Sequence, residues 1–128
     1  MSWRWISKQA LLLLHGESLA EHGGGAGLRD EGLLDSALAR PANLAAYGTP
    51  DIAEQAASYG FGVARNHPFV DGNKRAAFLA IGQFLYLNGY QLKAQQADAT
   101  LTMLAVAAGE LPEDALAAWL RQHLAPRR

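Results

Sequence analysis

Cysteine is absent from the 128 residues, which excludes disulfides, thiol catalysis and Cys-based zinc sites and fits a reducing compartment. Charge of neither sign is in excess. Eleven Lys+Arg against 12 Asp+Glu leave a net charge of −1, so no general field draws the chain to nucleic acid or an anionic membrane. Any anion it binds must be held by a local cluster. No apolar run approaches the roughly 18 residues of a membrane span. Ala10–Leu14 is also too short for a signal peptide, and His15 and Glu17 follow it at once. The expectation is a cytoplasmic protein with no membrane contact and no direct nucleic-acid partner. What is present is apolar bulk: 50% hydrophobic and 18% charged residues suit one domain over 1–128. A domain of that size buries about two-thirds of the surface its unfolded chain exposes.

Five prolines and 13 glycines divide the chain into helical segments. Ser7 is placed to cap a helix from Lys8, which carries Leu11–Leu14 and Leu19 and fails at Gly23-Gly24-Gly25. The glycine patch to Gly27 reads as a loop, mobile unless something binds it. Asp30 caps a short helix through Leu38 that Pro41 ends. Residues 42–48 lack a period and read as a loop or a small hairpin-like flap. Thr49-Pro50-Asp51 supplies a capping hydroxyl, a first-position proline and a first-turn acid for a helix to about Asn66. Asn73 caps the next helix, Lys74 to about Asn88, with Gly89 placed to end it. Between Ala76 and Leu87 only Gly82, Gln83 and Tyr86 break an aliphatic or phenyl surface, the pattern of a buried helix. Trp3–Ile6 and Tyr90–Lys93 read as brief extended pieces. Helices over about Asp98–Ala108 and Pro112–Leu124 follow, with Trp119 toward the core and 125–128 a frayed basic end. The fold class is all-α: a helical bundle around the central 74–88 helix, with the 67–73 loop at its mouth.

His67-Pro68-Phe69-Val70-Asp71-Gly72-Asn73-Lys74-Arg75 runs a polar loop straight into that helix. Lys74 and Arg75 fall in its first turn, where unpaired N–H groups already form a positive pole. Each added cation there costs roughly 0.3–1 kcal/mol. Two of them behind a glycine and an asparagine point to a bound anion, with phosphate the obvious candidate. Gly72 and Asn73 leave backbone amides open to it. Arg75 offers a bidentate grip and Lys74 a point charge. Asp71 is a hard oxygen ligand of the kind Mg²⁺ takes singly, phosphates and waters completing the octahedron; it would equally stabilise a helix N-terminus. His67 lies across the same turn, and an ordinary imidazole, with a pKa of about 6.5, accepts a hydroxyl proton near neutral pH. Phe69 is placed to plug the loop into the core.

This stretch closely resembles the active-site motif of the Fic/Doc (Fido) superfamily, and the lysine after asparagine is similar to its death-on-curing (Doc) toxin branch. Gly27-Leu28-Arg29-Asp30-Glu31-Gly32-Leu33-Leu34, followed by Ala37-Leu38-Ala39-Arg40-Pro41, resembles the opening of Doc proteins. With Asn66 and Asn88-Gly89-Tyr90 the likeness covers most of the chain. The resemblance implies a Fido-type helical bundle, with ATP as substrate and Mg²⁺ as cofactor. It implies that His67 deprotonates a target hydroxyl, that Asp71 holds Mg²⁺, and that Gly72, Asn73 and Arg75 bind phosphates beside Lys74. His67, Asp71, Asn73 and Arg75 then form the catalytic set.

Fic adenylyltransferases usually have glycine in place of Lys74 and a second arginine in place of Phe78. Lysine fills space that glycine leaves to phosphates, and phenylalanine cannot clamp an anion. Doc proteins share this pattern and bind ATP reversed, which implies transfer of the γ-phosphoryl group to a protein hydroxyl. The resemblance names elongation factor Tu as the target, with translation stopped by its phosphorylation. Gly72 runs the other way, being Fic-like where some Doc toxins have alanine. Adenylyl transfer and a non-catalytic nucleotide- or partner-binding module are the alternatives. The inhibitory Ser/Thr…Glu-Gly/Asn helix of many Fic enzymes is absent: Glu31-Gly32 has Gly27 at the hydroxyl position. Inhibition is therefore expected from an antitoxin tail, seated in a groove between the first helices and the loop.

The remaining polar residues read more plainly. Arg29 and Asp30 suit a cap plus a salt bridge. Arg65 and Asn66 suit either helix-end neutralisation or a phosphate or substrate contact. His15, His22 and His123 have no ligand spacing and read as ordinary. Trp3 and Trp5 suit core or partner surface, and Phe78 and Phe84 suit the core.

Overall fold

Ser7 accepts a hydrogen bond from the Ala10 amide at 3.0 Å and opens α1 (Lys8–His22), which Gly23 ends at φ 84°. Asp30 caps α2 (Glu31–Tyr47) through the Leu33 amide, also at 3.0 Å. There follow α3 (Ile52–Asn66), α4 (Asn73–Leu87), β1 (Tyr90–Leu92), α5 (Gln96–Ala107), α6 (Glu113–His123) and β2 (Leu124–Pro126). The structure, a computed structural model, describes residues 2–127. The fold is all-α with one small antiparallel strand pair, as the sequence pattern implies.

The expected central helix is α4, and α3 shares the centre with it. α3 packs against α2, α4, α5 and α6, while α4 packs against α1, α3, α5 and β1. Small residues make this possible. Ala53, Ala56, Ala57, Gly60 and Ala64 are buried along α3, so neighbouring backbones approach closely. A Cβ at Gly60 would stand 2.4 Å from Ile81 Cδ1 on α4, a true overlap. Phe84 of α4 is fully buried between Tyr59 and the N-terminal Trp3 and Trp5, with ring centroids 5.2, 5.9 and 6.2 Å away. Burial pushes the Tyr59 phenol above its ordinary pKa, and the Ile6 amide that donates to it pulls the other way.

Several boundaries differ from the expectation. α2 does not stop at Pro41 but continues to Tyr47, so 42–47 forms its last turns, with Gly48 as its cap, and is neither loop nor flap. A proline inside a helix costs about 3 kcal/mol. Pro41 is nevertheless buried with Leu34 and Ala37 on the face that α2 presents to the bundle. Beside it, Arg40 reaches the Ser58 carbonyl at 3.4 Å and pairs with Glu113 of α6. Tertiary contact outweighs the local penalty.

α3 starts later than Thr49-Pro50 suggests. Asp51 is its cap and forms a reciprocal box with Glu54, at 2.8 and 2.9 Å. Trp3–Ile6 forms no strand; the Arg4 backbone is held instead by the Asn88 side chain at 2.9 and 3.0 Å. The expected frayed end is structured as well. β2 pairs with β1 in the register Tyr90↔Pro126, Gln91↔Ala125, Leu92↔Leu124, and the Arg127 guanidinium lies 4.1 Å over the Tyr86 ring. Arg128 lies outside the described residues.

Candidate active site

The site begins where α3 ends. Pro68 disfavours helical geometry at the residue before it, and His67 turns left-handed at φ 49°, ψ 56°, the described residues' one positive φ outside glycine. Such a corner leaves helix carbonyls without partners. Arg29 supplies them: its Nε donates to the His67 carbonyl at 2.7 Å and its Nη2 to that of Asn66 at 2.9 Å. The Arg29 and Asp30 amides both donate to the Pro68 carbonyl, at 2.7 and 3.0 Å. Leu28 bridges Phe69, and the Val70 amide donates to Gly27. Residues 27–30 thus strap the motif loop to the head of α2. Asp30 is the expected cap, but Arg29 makes no ion pair among the described residues; it clamps carbonyls. Arg29→Ala is expected to lower the unfolding free energy by about 1–3 kcal/mol, measured by urea denaturation.

Phe69 is buried, as expected of a plug. Asn73 holds it by both ends of its amide, accepting from the Phe69 amide at 2.8 Å and donating to the Phe69 carbonyl at 3.0 Å. Asn73 is therefore not the cap of α4. Its side chain braces the loop, and Gly72 takes the cap position at φ 75°, a conformation that suits glycine. No side chain among the described residues caps α4. The Ala76 amide donates to the Gly72 carbonyl as the helix begins, which leaves the earlier amides of that turn facing outward.

Asp71 is exposed at this opening. Its Oδ1 accepts from the Gly72 amide at 2.9 Å and its Oδ2 from the Gly25 amide at 3.4 Å. The glycine patch therefore closes against the motif: a Cβ at Gly24 would stand 3.1 Å from Asp71 Oδ2. Lys74 and Arg75 are exposed, and neither makes an ion pair among the described residues. His67, Val70, Asp71, Gly72, Asn73, Lys74 and Arg75 together line a polar pocket of about 250 Å³. Among the described residues no three His, Cys, Asp or Glu side chains cluster as a preformed metal site. Asp71 offers one exposed hard oxygen donor there, of the kind Mg²⁺ takes singly with phosphates and water.

Lys74 and Arg75 also form one end of a second, larger cavity of about 750 Å³. α1 supplies Leu14, Glu17 and Glu21 to it, and α5 supplies Met103 and Leu104. Phe78 faces this groove and is only partly buried, a correction to its reading as a core residue. Arg65 and Asn66 stay outside both cavities. Arg65 Nη1 donates to the Ala107 carbonyl at the end of α5, and Asn66 Nδ2 donates to the Leu33 carbonyl, at 3.5 and 3.0 Å. Arg65 serves the end of α5, and Asn66 ties the end of α3 to the first turn of α2.

One residue escaped the sequence reading. His15 lies with Leu11 and Ser18 on the buried face of α1, and its Nε2 stands 2.8 Å from the Asp71 carbonyl oxygen. Its spacing matches an apolar stripe, so only the burial of an imidazole there could have drawn attention to it.

A family profile described as the Fic/DOC family matches residues 5–85, from the segment before α1 through most of α4. The chain belongs to the Fic/DOC family. Its likeness is to the Doc branch. It is 48% identical over 75 residues to a protein named "Toxin Doc" from Mycolicibacterium smegmatis, a match covering 56% of this chain and 57% of that protein. It is 35% identical over 120 residues to "Protein kinase doc" of Escherichia phage P1, covering 93% and 94%. Within this Fic/Doc chain, the polar pocket is the motif loop itself and the groove is its neighbour along α4. No described helix is long and apolar enough to cross a membrane.

Proposed function

We propose that this chain is a Doc-like toxin: an ATP- and Mg²⁺-dependent kinase that phosphorylates a protein hydroxyl in the cytoplasm, with elongation factor Tu as its target. One observation carries the reading. A helix start with no side-chain cap bears two cations that make no ion pair among the described residues, beside a carboxylate and an imidazole, in a pocket of about 250 Å³. Whole-ligand pockets run to roughly 300–1,000 Å³, so this mouth takes the phosphates while base and sugar extend beyond it.

His67 accepts the proton of the incoming hydroxyl. The hydroxyl oxygen forms its bond to the γ-phosphorus as the bond from that phosphorus to the β–γ bridging oxygen breaks, and ADP leaves. Arg75, Lys74 and the first amides of α4 hold the charge that accumulates on the transferring group. Asp71 would hold Mg²⁺, which when bound neutralises phosphate charge. The lysine at 74 and the phenylalanine at 78 support γ-phosphoryl over adenylyl transfer. Gly72, the one Fic-like residue, is accounted for by its own φ of 75° and favours neither.

The groove of about 750 Å³ supports an antitoxin segment as the inhibitory partner. Its floor of Phe78, Leu79 and Met103 suits an amphipathic helix. Because Lys74 and Arg75 border both cavities, such a segment would compete with phosphates for the same cations. The target is tested in a cell-free translation extract given substoichiometric protein. Protein synthesis stops, and it resumes when the protein is removed from the extract and fresh elongation factor Tu is then added. An arrest that the added factor does not relieve would assign another target, and continued synthesis would remove the toxin reading.

A further inference from the structure

We propose that His15 is a positioning residue for Asp71, an inference that rests on the reading of Asp71 as the magnesium ligand. His15 is 4% exposed, on the face of α1 that packs toward α4. Packing alone asks for nothing polar there; a leucine would fill an apolar stripe without the desolvation cost of an imidazole. The imidazole is committed on three sides. Its plane stacks on Phe69, centroids 3.7 Å apart and 19° from parallel. A Cβ at Gly72 would stand 3.4 Å from its Nε2. That same Nε2 lies 2.8 Å from the Asp71 carbonyl oxygen. A carbonyl can only accept, so Nε2 carries the hydrogen and donates it.

The bond falls on the peptide unit between Asp71 and Gly72. Turning that unit would take the Gly72 amide away from the Asp71 carboxylate, removing one of the carboxylate's two backbone donors, and change the φ of Gly72 from which α4 starts. The 27–30 strap holds the motif loop from the His67 carbonyl to the Val70 amide, and Asn73 ties it back to Phe69. Between those ties, His15 is the side chain that holds the Asp71 carbonyl itself. Outer partners of this kind orient a metal-binding group, and their loss typically costs roughly 10–100-fold in metal affinity.

The test is a cycle read by calorimetry of ATP binding with and without Mg²⁺, together with thermal melting. His15→Phe keeps the ring and its stacking but removes the donor. Its expected loss, roughly 10–100-fold, is confined to the Mg²⁺-dependent part of ATP binding. His15→Gln, which restores an N–H donor, recovers most of it. In an Asp71→Asn background, His15→Phe has no further effect. A loss of equal size with Asp71 absent or with Mg²⁺ omitted would show a merely structural role and overturn the proposal, as would wild-type binding by His15→Phe. If Asp71→Asn alone leaves the Mg²⁺ effect intact, the reading of Asp71 falls first, and that outcome is distinct from the others. Should His15→Phe not fold, ¹⁵N spectra of the unaltered protein decide. A slowly exchanging proton on Nε2 supports the proposal, and a proton on Nδ1 alone overturns it.

Discussion

His67→Asn lowers the rate of phosphoryl transfer by roughly 10²–10⁴-fold while the melting curve stays in place. The separation follows from where the residue sits. His67 is exposed, its side chain faces the polar pocket, and its backbone occupies the left-handed corner between α3 and the motif. Asparagine is among the residues that tolerate that conformation, so Arg29 keeps its two carbonyls and the strap stays closed. Only the imidazole is lost. His67→Ala gives the same catalytic loss but confounds it with an alanine in a left-handed position. Initial rates with saturating ATP, set beside melting curves, check the expectation. Transfer that continues at the wild-type rate would remove His67 from its role as base.

Arg75→Ala produces two effects of opposite sign. Transfer falls by roughly 10²–10³ in kcat/KM, the usual cost of deleting one preorganised group that holds developing charge. Arg75→Lys does not restore it, since a point charge cannot reproduce a bidentate fork. Folding stability meanwhile rises by about 0.3–1 kcal/mol, because a cation has been taken off a positive helix pole. The structure supports that sign: Arg75 is exposed in the first turn of α4 and has no carboxylate partner among the described residues. Steady-state kinetics and urea denaturation on one preparation measure both effects. A destabilised, fully active variant would mean that Arg75 serves packing.

The residues that line the polar pocket were legible in sequence because they are contiguous. A loop of seven to nine residues carries its own spacing, and the cations at the head of α4 stand out without knowledge of any contact. The all-α class was legible for a similar reason: Ser7, Asp30 and Gly89 act through neighbours only a few residues away. What escaped detection depends on partners far along the chain. Pro41 should end a helix by every local rule, and only burial and the Arg40 link to Glu113 keep α2 intact. β2 needs β1, some thirty residues earlier, before it is a strand at all. Asn73 looked like a cap because the order Gly-Asn-helix favours one, yet Phe69 takes both ends of its amide. His15 was hardest to see, since its one hydrogen bond crosses from α1 to a backbone oxygen whose position no spacing in α1 records.

The pocket at the head of α4 is proposed to present the γ-phosphorus, not the α-phosphorus, to a protein hydroxyl above His67. Purified protein, elongation factor Tu and Mg²⁺ incubated with ATP labelled at either phosphorus put this to the most direct test. Label carried from the γ position, with none from the α position, is the result expected; label from the α position on the target would contradict it.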